Sequence, residues 1–383
     1  MRKVYSIADN IVSPLGMDSS TNWDNVLKGA TGVKANNKPS IHLKNFYASS
    51  LEENNLDDTL KGSIDTTVYT KLEKMFVLSI SSAAKKCEID LTSSGTLFVF
   101  SSTKGNIDIL DKTATSNIPT DRLNLMTMAK SVTSFFKNPN KPVVISNACI
   151  SGVLAIITGS SYIREGLYEK VVVAGGDIIS EFTISGFNSL QALSQNVCKP
   201  FDKSRDGINL GEACATVILS ATPQSNSSDI EIKGGATSND ANHISGPSRT
   251  GDGLTLAINN ALLYSRMTYS DIGYISAHGT ATLYNDEMEA KAFNSSGLSE
   301  TPVNSLKGYF GHTLGAAGVL ETILAMLSVK EQKVVASRGY NEHGVSLPLQ
   351  VVKENKAVSF TNCIKTASGF GGCNAALVLS KNG

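Results

Sequence analysis

The sequence has little charge, and neither sign prevails. Lys and Arg number 34, Asp and Glu also number 34, and charged residues are 18% of the chain, against about 25% in typical soluble proteins. The zero balance excludes a polybasic nucleic-acid binder and an acidic tail protein. The 41% of hydrophobic residues excludes a disordered chain. From the shortage of charge we infer a sizeable subunit interface.

Cysteine is scarce and shows no paired spacing. The six cysteines include no CxxC pair, which excludes a disulfide framework and a metal site built from paired ligands. The N-terminus lacks the pattern of a signal peptide, and no run reaches the ~18 apolar residues of a membrane-spanning helix. We therefore expect a cytoplasmic protein with reduced thiols that does not associate with membranes.

Short β-branched runs alternate with helical stretches, a pattern typical of an α/β fold. The predicted strands are 95–101, 142–146, 170–174, 215–219, 274–276 and 375–379. The predicted helices are 70–86, 150–165, 253–265 and 316–332. The polar stretch 222–229 is the best candidate for a joint between two halves.

Cys149 is the candidate nucleophile. It follows the apolar run 142–146 and precedes a helical pattern, so we expect its thiol at a strand-to-helix turn near a helix N-terminus. Partial positive charge there favours the thiolate, and free backbone N–H groups can hold an oxyanion. The competing interpretation is a cysteine that packs as a small hydrophobic residue.

Two of the five histidines, His278 and His312, each lie next to a glycine at a predicted turn. Glycine allows backbone or ligand to approach closely, so both are candidate site residues. The competing interpretation is a pair of buried histidines hydrogen-bonded to carbonyl groups. We expect His42, His243 and His343, which have polar neighbours, to lie at the surface or behind the site.

Three further features are open to two interpretations. Lys307, shortly before His312, is either part of a site or an ordinary solvated lysine. The Gly-rich segment 368–374 predicts a tight turn before the last strand, and because it lacks GxGxxG spacing we set nucleotide binding aside. Asp206 and Glu212 are candidate acid/base groups, although a salt bridge in a buried loop is the preferred interpretation.

Taken together, these motifs resemble one family, the β-ketoacyl–acyl-carrier-protein synthases of the elongating, two-histidine type. The resemblance runs along essentially the whole chain, from 13–16 to 369–374. Its most specific parts are the histidine turns at 278–282 and 311–318, with four charged residues around them: Asp286, Glu289, Lys307 and Glu321.

The resemblance implies a thiolase-like fold of five αβαβα layers. Two similar α/β halves form it, 1–225 with the nucleophile and 226–383 with the two histidines. It also implies a homodimer, or a heterodimer with a related ketosynthase subunit, whose sheets join across the interface. The implied partner is an acyl carrier protein that presents acyl and malonyl thioesters on phosphopantetheine. Neither nucleic acid nor a membrane is an expected partner.

Roles for individual residues also follow from the resemblance. Cys149 is the acylated nucleophile, and His278 and His312 serve the decarboxylation of the extender unit. Lys307 and Glu321 form a supporting ion pair. The implied substrate contacts are Thr280 and Thr282 along the phosphopantetheine route, Phe370 as the gate of the acyl pocket, and Gly371 beside it.

The implied reaction is a decarboxylative Claisen condensation, in fatty-acid, polyketide or aryl-polyene synthesis. A thioester is first transferred to Cys149, malonyl thioester then loses carbon dioxide, and its enolate attacks the acyl group to give a 3-oxoacyl thioester. No step requires a metal, nucleotide or redox cofactor, so none is expected. Ser368 stands where the family usually has phenylalanine, which predicts a gate that is less firmly braced and opens more easily.

Two other interpretations stay open. One is a non-catalytic partner subunit of the chain-length-factor kind, which typically lacks the nucleophile, so Cys149 beside both histidines argues against it. The other is a thiolase that uses coenzyme A. A thiolase needs a second reactive cysteine near the C-terminus, and Cys373 lies there, at a position where the resembled family usually has threonine.

Overall fold

The computed structural model describes residues 2–36, 43, 46–111, 118–224, 229–240 and 246–381. Its strands are β1 (Tyr5–Val12), β2 (Val33–Asn36), β3 (Phe46–Ser49), β4 (Thr96–Ser101), β5 (Val143–Ile145), β6 (Lys170–Asp177), β7 (Leu210–Gly211), β8 (Ala213–Ser220), β9 (Ile230–Asn239), β10 (Tyr274–Ser276), β11 (Val303–Asn304), β12 (Lys333–Val334), β13 (Lys356–Ala357), β14 (Asn362–Gly369) and β15 (Cys373–Lys381). Its α-helices are α1 (Ser19–Leu27), α2 (Glu53–Leu60), α3 (Lys71–Ala84), α4 (Leu125–Phe135), α5 (Ser151–Arg164), α6 (Glu181–Ser189), α7 (Asp252–Ser265), α8 (Leu283–Ser295), α9 (Lys307–Phe310) and α10 (Ala317–Glu331).

Local sequence explains where the elements begin. Helix α3 starts after Thr70, whose hydroxyl accepts from the Glu73 amide while the Glu73 carboxylate accepts from the Thr70 amide. This reciprocal capping box satisfies two amide groups that a helix end leaves free. The four predicted helices are confirmed to within about two residues. Strands β1, β9 and β14 were not predicted, because polar or glycine residues interrupt their apolar runs.

Two sets of five strands repeat one topology. The order across the first is β5-β4-β6-β8-β1, and across the second β11-β10-β14-β15-β9. If the strands of each set are numbered along the chain, both orders read 3-2-4-5-1. Parallel and antiparallel pairings also correspond, pair by pair. We call the two sets the N-terminal half and the C-terminal half.

The elements stack in five layers. Helix α3 packs outside the N-terminal sheet, α7 outside the C-terminal sheet, and α5 and α10 lie between them, where α10 contacts strands of both sheets. The middle apolar core contains side chains from both halves, including Val153 of α5 and Leu320 of α10. The predicted α/β, thiolase-like αβαβα arrangement is confirmed.

Several contacts tie the halves together, and the first is a strand pair. Strands β1 and β9 pair through Tyr5 and Ser6 opposite Glu231 and Ile230. The predicted joint falls between β8 and β9, and the boundary at 225/226 lies outside the described residues.

Within the described residues, no helix is long and apolar enough to cross a membrane.

The second tie is the contact between α5 and α10, which meet at Gly152 and Gly318. A Cβ atom built on Gly318 would lie 2.3 Å from the Val153 nitrogen, and one built on Gly152 would lie 2.7 Å from the Val319 nitrogen. Only glycine permits this backbone-to-backbone approach. It brings the N-terminal ends of the two central helices together, and with them the segments that precede each helix.

Candidate active site

Three turns, each in a segment between a strand and a longer helix, bring the predicted chemical groups together. Cys149 lies between β5 and α5, His278 directly follows β10, and His312 lies between β11 and α10. The Cys149 Sγ and one ring nitrogen from each histidine all lie within 4.8 Å of one another. The centroids of the two imidazole rings are 5.2 Å apart, and the ring planes meet at an angle of 84°. The predicted Cys-His-His group is therefore assembled in space.

The turn that carries the nucleophile is tightly constrained. Ala148, the residue before Cys149, has φ of 43°, a conformation that costs free energy for a residue with a side chain. The Ser151 hydroxyl holds the turn, since it accepts from the Asn147 amide at 2.8 Å and donates to the Ala148 carbonyl. Gly369 packs against the turn from the other side, and a Cβ atom there would lie 2.9 Å from the Cys149 nitrogen.

The predicted thiolate is wrong for this buried resting site. Burial raises the pKa of the Cys149 thiol to about 12, because a charged sulfur is poorly stabilised away from water. The partial positive charge at the α5 N-terminus acts in the opposite direction. Cys149 thus holds its proton at neutral pH and needs a base to become a nucleophile. The neighbouring imidazoles are the nearest candidates.

His278 is held by a buried carboxylate. Glu289 on α8 accepts from the His278 amide at 2.8 Å and from the Gly279 amide at 2.6 Å, so the carboxylate fixes the backbone of the turn and not the ring. Burial, followed by the charge of Lys307, keeps the pKa of His278 well below its ordinary value. The imidazole is therefore neutral at pH 7.

His312 is fixed through its backbone in a similar way. Its amide donates to the Asn209 carbonyl at 2.7 Å, and its carbonyl accepts from the Gly211 amide at 2.9 Å. Burial, then Lys307, also holds its pKa well below the ordinary value. Among the described residues, no hydrogen bond reaches either ring nitrogen of His312 or Nδ1 of His278. These three nitrogens are buried and, within the described part of the chain, have no hydrogen-bond partner in this conformation.

Behind the histidines lies a buried set of three charged residues. Lys307 pairs with Oε1 of Glu321, as predicted, and Lys365 lies 2.6 Å from Oε2 of the same carboxylate. Burial raises the pKa of Glu321, but the two lysines outweigh it, so the pKa lies below its ordinary value. Burial lowers the pKa of Lys365. None of the three lines the cavity described next.

A cavity of about 450 Å³ opens onto the three catalytic candidates and contains the predicted threonines. Thr280 and Thr282 line it, and their hydroxyl groups are 2.8 Å apart. Gly371 does not line this cavity and is exposed in the gate turn. The predicted substrate contact at Gly371 is therefore not seen in this conformation.

A second cavity of about 410 Å³ also reaches Cys149. It lies on the side of the N-terminal half and is lined by α6, including its residues Phe182 and Phe187, and by Leu314. Phe370 lines both cavities and contacts Phe187 with 5.6 Å between ring centroids. Phe370 is 40% exposed, and its role as a gate stays a prediction.

Ser368 braces the turn between β14 and β15 by a hydrogen bond that the sequence did not predict, and the easier opening of the gate stays a prediction. Ser368 is buried, and its hydroxyl donates to Asn374 Oδ1 at 2.8 Å across the β14–β15 hairpin. The side-chain amide of Asn374 in turn donates to Asp240 Oδ2 at 3.1 Å. Hydrogen bonds thus brace the gate where the family usually has an aromatic ring.

Most secondary candidates have structural roles. Glu212 is buried and lies 2.6 Å from Lys71, which confirms the predicted salt bridge. Asp206 lines the larger cavity and accepts from Ser194 Oγ at 2.6 Å. His343 is exposed, as predicted, whereas the expectations for His42 and His243 lie outside the described residues.

One thiol and two imidazoles are also ligand types that bind zinc. The same groups suit acyl transfer without a metal, because a thiol next to a neutral imidazole is an activatable nucleophile. Two cavities meet at Cys149, and each offers space for an organic group on one side of the sulfur. This arrangement favours acyl transfer over metal binding.

Sequence reasoning missed Lys365, Phe187 and Asp177. Asp177 accepts from the Thr103 and Gly315 amides and so links the two halves below the site. A lysine directly after the apolar pair Cys363-Ile364 was the available signal for Lys365, but strand β14 itself was not predicted. Phe187 and Asp177 carry no such signal, because only the tertiary fold brings them to the site.

Comparisons with known proteins agree with this geometry. Residues 1–225 match the model of the beta-ketoacyl synthase N-terminal domain, and residues 230–341 match that of the C-terminal domain. The chain is 27% identical to 3-oxoacyl-[acyl-carrier-protein] synthase 2 of Staphylococcus aureus (strain COL), over 99% of this chain and 98% of that protein. It is 26% identical to the enzyme of the same name from Vibrio harveyi, over 99% of each.

Among solved structures, the fold is similar to a chain in the complex of the ketosynthase ApeO with its chain length factor ApeC from Xenorhabdus doucetiae. The TM-score is 0.87 with 24% sequence identity, over 100% of this chain and 98% of that one. The two domain matches cover most of the sequence, and the chain belongs to the β-ketoacyl synthase family of condensing enzymes.

Proposed function

We propose that the chain is a 3-oxoacyl-[acyl-carrier-protein] synthase that condenses an acyl group on Cys149 with a malonyl unit. One observation carries the proposal: the Cys149 Sγ and two imidazole nitrogens meet within 4.8 Å, where two cavities join. The names of the Staphylococcus and Vibrio relatives support the carrier-protein form of both substrates.

The first step transfers the acyl group. An imidazole nitrogen accepts the Cys149 proton, the sulfur attacks the thioester carbon, and the phosphopantetheine thiol leaves with a proton. The backbone N–H groups of Cys149 and Phe370 are proposed to hold the developing oxyanion, since Gly369 brings the gate turn against the nucleophile. The acyl chain then enters the cavity beyond Phe370.

The second step uses the histidine side of the site. Malonyl thioester enters past Thr280 and Thr282, loses carbon dioxide, and leaves an enolate. Neutral imidazoles of His278 and His312 donate N–H groups to the enolate oxygen. The enolate carbon attacks the Cys149 thioester, the carbon–sulfur bond breaks, and the sulfur regains a proton while a 3-oxoacyl thioester departs.

Intact-mass measurement after mixing with a panel of acyl carrier-protein thioesters tests the proposal. The wild-type chain should gain one acyl group, and Cys149→Ala should gain none and lose condensation altogether. Cys149→Gln, which mimics the acylated side chain, should still decarboxylate malonyl thioester. Cys373→Ala, the neighbouring buried cysteine, is the matched control and should still be acylated. Full condensation by Cys149→Ala would overturn the mechanism.

We further propose that a second chain, either a copy or a related subunit, pairs with the edge of the N-terminal sheet. Within the described residues, β5 ends that sheet with no strand on its outer side, and such edges readily pair with another chain. The equivalent edge strand β11 is covered, because Val303 pairs with Val351. Light scattering of the chain alone, and after co-expression with a related subunit, separates the two assemblies.

A further inference from the structure

Lys365 is a fully buried lysine whose contacts are specific. It lies on β14 directly opposite Ser276 of β10. Its Nζ donates to the carbonyl groups of Ser276 at 3.3 Å, Ala277 at 3.2 Å and Thr366 at 2.6 Å. It also lies 2.6 Å from Glu321 Oε2. That oxygen has no hydrogen bond of good geometry among the described residues, so this contact is an ion pair.

The surroundings require the charged form of Lys365. Within the described residues, every hydrogen-bond or ion-pair partner of its nitrogen is an acceptor: three carbonyl oxygens and one carboxylate oxygen. An ammonium group has three donors and no acceptor, which matches that environment. A neutral amine would point its lone pair at an oxygen atom. The ammonium is therefore built into the site in spite of the cost of burying it.

These contacts connect the elements that carry the two histidines. The carbonyls of Ser276 and Ala277 belong to the chain immediately before His278, and Glu321 lies on α10, immediately after the turn of His312. Glu289 holds the amides of His278 and Gly279 from the other side. The backbone before and within the His278 turn is thus bound by a cation at its carbonyls and by a carboxylate at its amides.

We propose that Lys365 is a positioning residue for decarboxylation: its ammonium group ties β10 to Glu321 on α10 and so fixes the spacing of the His278 and His312 rings. The assignment rests on the proposed function. Two donors that act on one enolate oxygen must be placed to well within an ångström, since a misplacement of about 1 Å can cost about 100-fold in rate. Acylation uses one imidazole as a base and tolerates a change in spacing better.

Lys365→Met tests the proposal, because methionine keeps most of the volume and removes the charge. The Lys307–Glu321 pair should remain in this variant, so that Glu321 keeps one of its two cations. The expected result is at least a 10-fold fall in kcat for malonyl thioester decarboxylation. The KM for malonyl thioester and the rate of Cys149 acylation should stay within about 2-fold.

Lys71→Met is the matched control. Lys71 is also buried and lies 2.6 Å from a buried glutamate, Glu212, but it is on α3, in the outer layer of the other half. Removing a cation beside a buried carboxylate is strongly destabilising, so this variant should unfold at lower denaturant. Its ratio of decarboxylation to acylation should match that of the wild type. A general structural role for Lys365 predicts the same behaviour for both variants.

Lys365→Gln is the second variant if methionine prevents folding. Glutamine keeps donors for the carbonyl groups but removes the ion pair with Glu321, so the decarboxylation rate should again fall relative to acylation. An unchanged ratio of the two rates in a folded Lys365 variant would overturn this inference alone. A wild-type chain that neither acylates nor decarboxylates would instead overturn the proposed function, and this inference with it.

Discussion

The two halves share a strand order but differ in what they bring to the site. Cys149 and His312 occupy corresponding places, each between the third strand of its half and the central helix that follows. One half places a thiol there and lines the cavity beyond it with the aromatic residues of α6. The other places an imidazole there and backs it with Lys307, Glu321 and Lys365.

The difference shows how a repeated fold supports a two-step reaction. In the proposed reaction, the N-terminal half provides the group that holds the acyl chain, and the C-terminal half provides neutral imidazoles and buried charge for an enolate. Neither half alone contains the Cys-His-His group. Two corresponding turns, on strands of the same order, thus carry different groups.

Removing either imidazole should separate the contributions of the halves most strongly. His278→Ala and His312→Ala each remove one enolate donor, so decarboxylation should fall by about 100-fold or more. Cys149 acylation should fall only in the variant that loses the acceptor of the thiol proton. Measuring both steps in both variants tests this, with His343→Ala as an exposed control. Decarboxylation at the wild-type rate in either variant would refute the division of roles.

Gly318→Ala tests the close contact between helices α5 and α10, which joins the halves. The added Cβ would lie 2.3 Å from the Val153 nitrogen, and because the obstacle is backbone, the central helices must move apart. Overpacking of this kind should cost about 3 kcal/mol of unfolding free energy. Denaturant titration measures the loss.

Gly186→Ala on α6 is the control for that substitution, since a Cβ there would meet no atom within 4 Å. It should be neutral or stabilise by about 0.5–1 kcal/mol. If the two variants had equal stability, the close helix contact would not constrain the fold.

The half that carries the histidines should also make the protein sensitive to acid. The pKa values of His278 and His312 lie well below the ordinary value in the folded state, so below about pH 6.5 the unfolded state binds more protons. Stability contributed by these neutral rings is complete above that pH and falls as the pH decreases. The slope approaches about 1.4 kcal/mol per pH unit for each histidine.

The comparison that isolates this effect is the pH dependence of unfolding free energy in the wild type and in His278→Ala/His312→Ala. The double variant should lose less stability between pH 6.5 and pH 5. Parallel curves over that range would mean that the rings are not held neutral by the fold.

The smallest expected effect concerns the turn between β14 and β15 in the C-terminal half. This turn carries Phe370, the proposed gate of the cavity on the side of the N-terminal half. Ser368→Ala removes the hydrogen bond to Asn374, worth about 1 kcal/mol. Acylation by a bulky acyl thioester should rise a few-fold relative to a short one. Ser185→Ala, an exposed serine on α6, is the control. An unchanged ratio of the two acylation rates would place selectivity elsewhere.

Sequence alone predicted the residues whose chemistry depends on local pattern. Cys149 lies at a strand-to-helix turn and both histidines lie beside glycine, and these local signals, together with the family resemblance, singled out the three groups that the fold brings together. The protonation state of Cys149 was predicted wrongly, because burial is a property of the assembled fold. The brace at Ser368 was missed for a similar reason, since its partner Asn374 lies across a hairpin.

The repeated strand order was not visible in the sequence either. A strand order is set by pairings between distant segments, and the halves share it without an evident repeat of residues. Lys365 shows the same limit at the level of one side chain. Its partners Ser276, Ala277 and Glu321 are far away in sequence, so only the folded chain shows that its charge is satisfied.

The middle layer, which both sheets cover, has a consequence for how the chain folds. Helix α5 is complete at Arg164, but the apolar face of its partner α10 ends only at Glu331. On the ribosome, the nucleophile and the first sheet must wait for most of the second half before their shared core can close. We therefore expect the finished protein to unfold in a single cooperative transition, and a chain that stops before α10 to depend on chaperones.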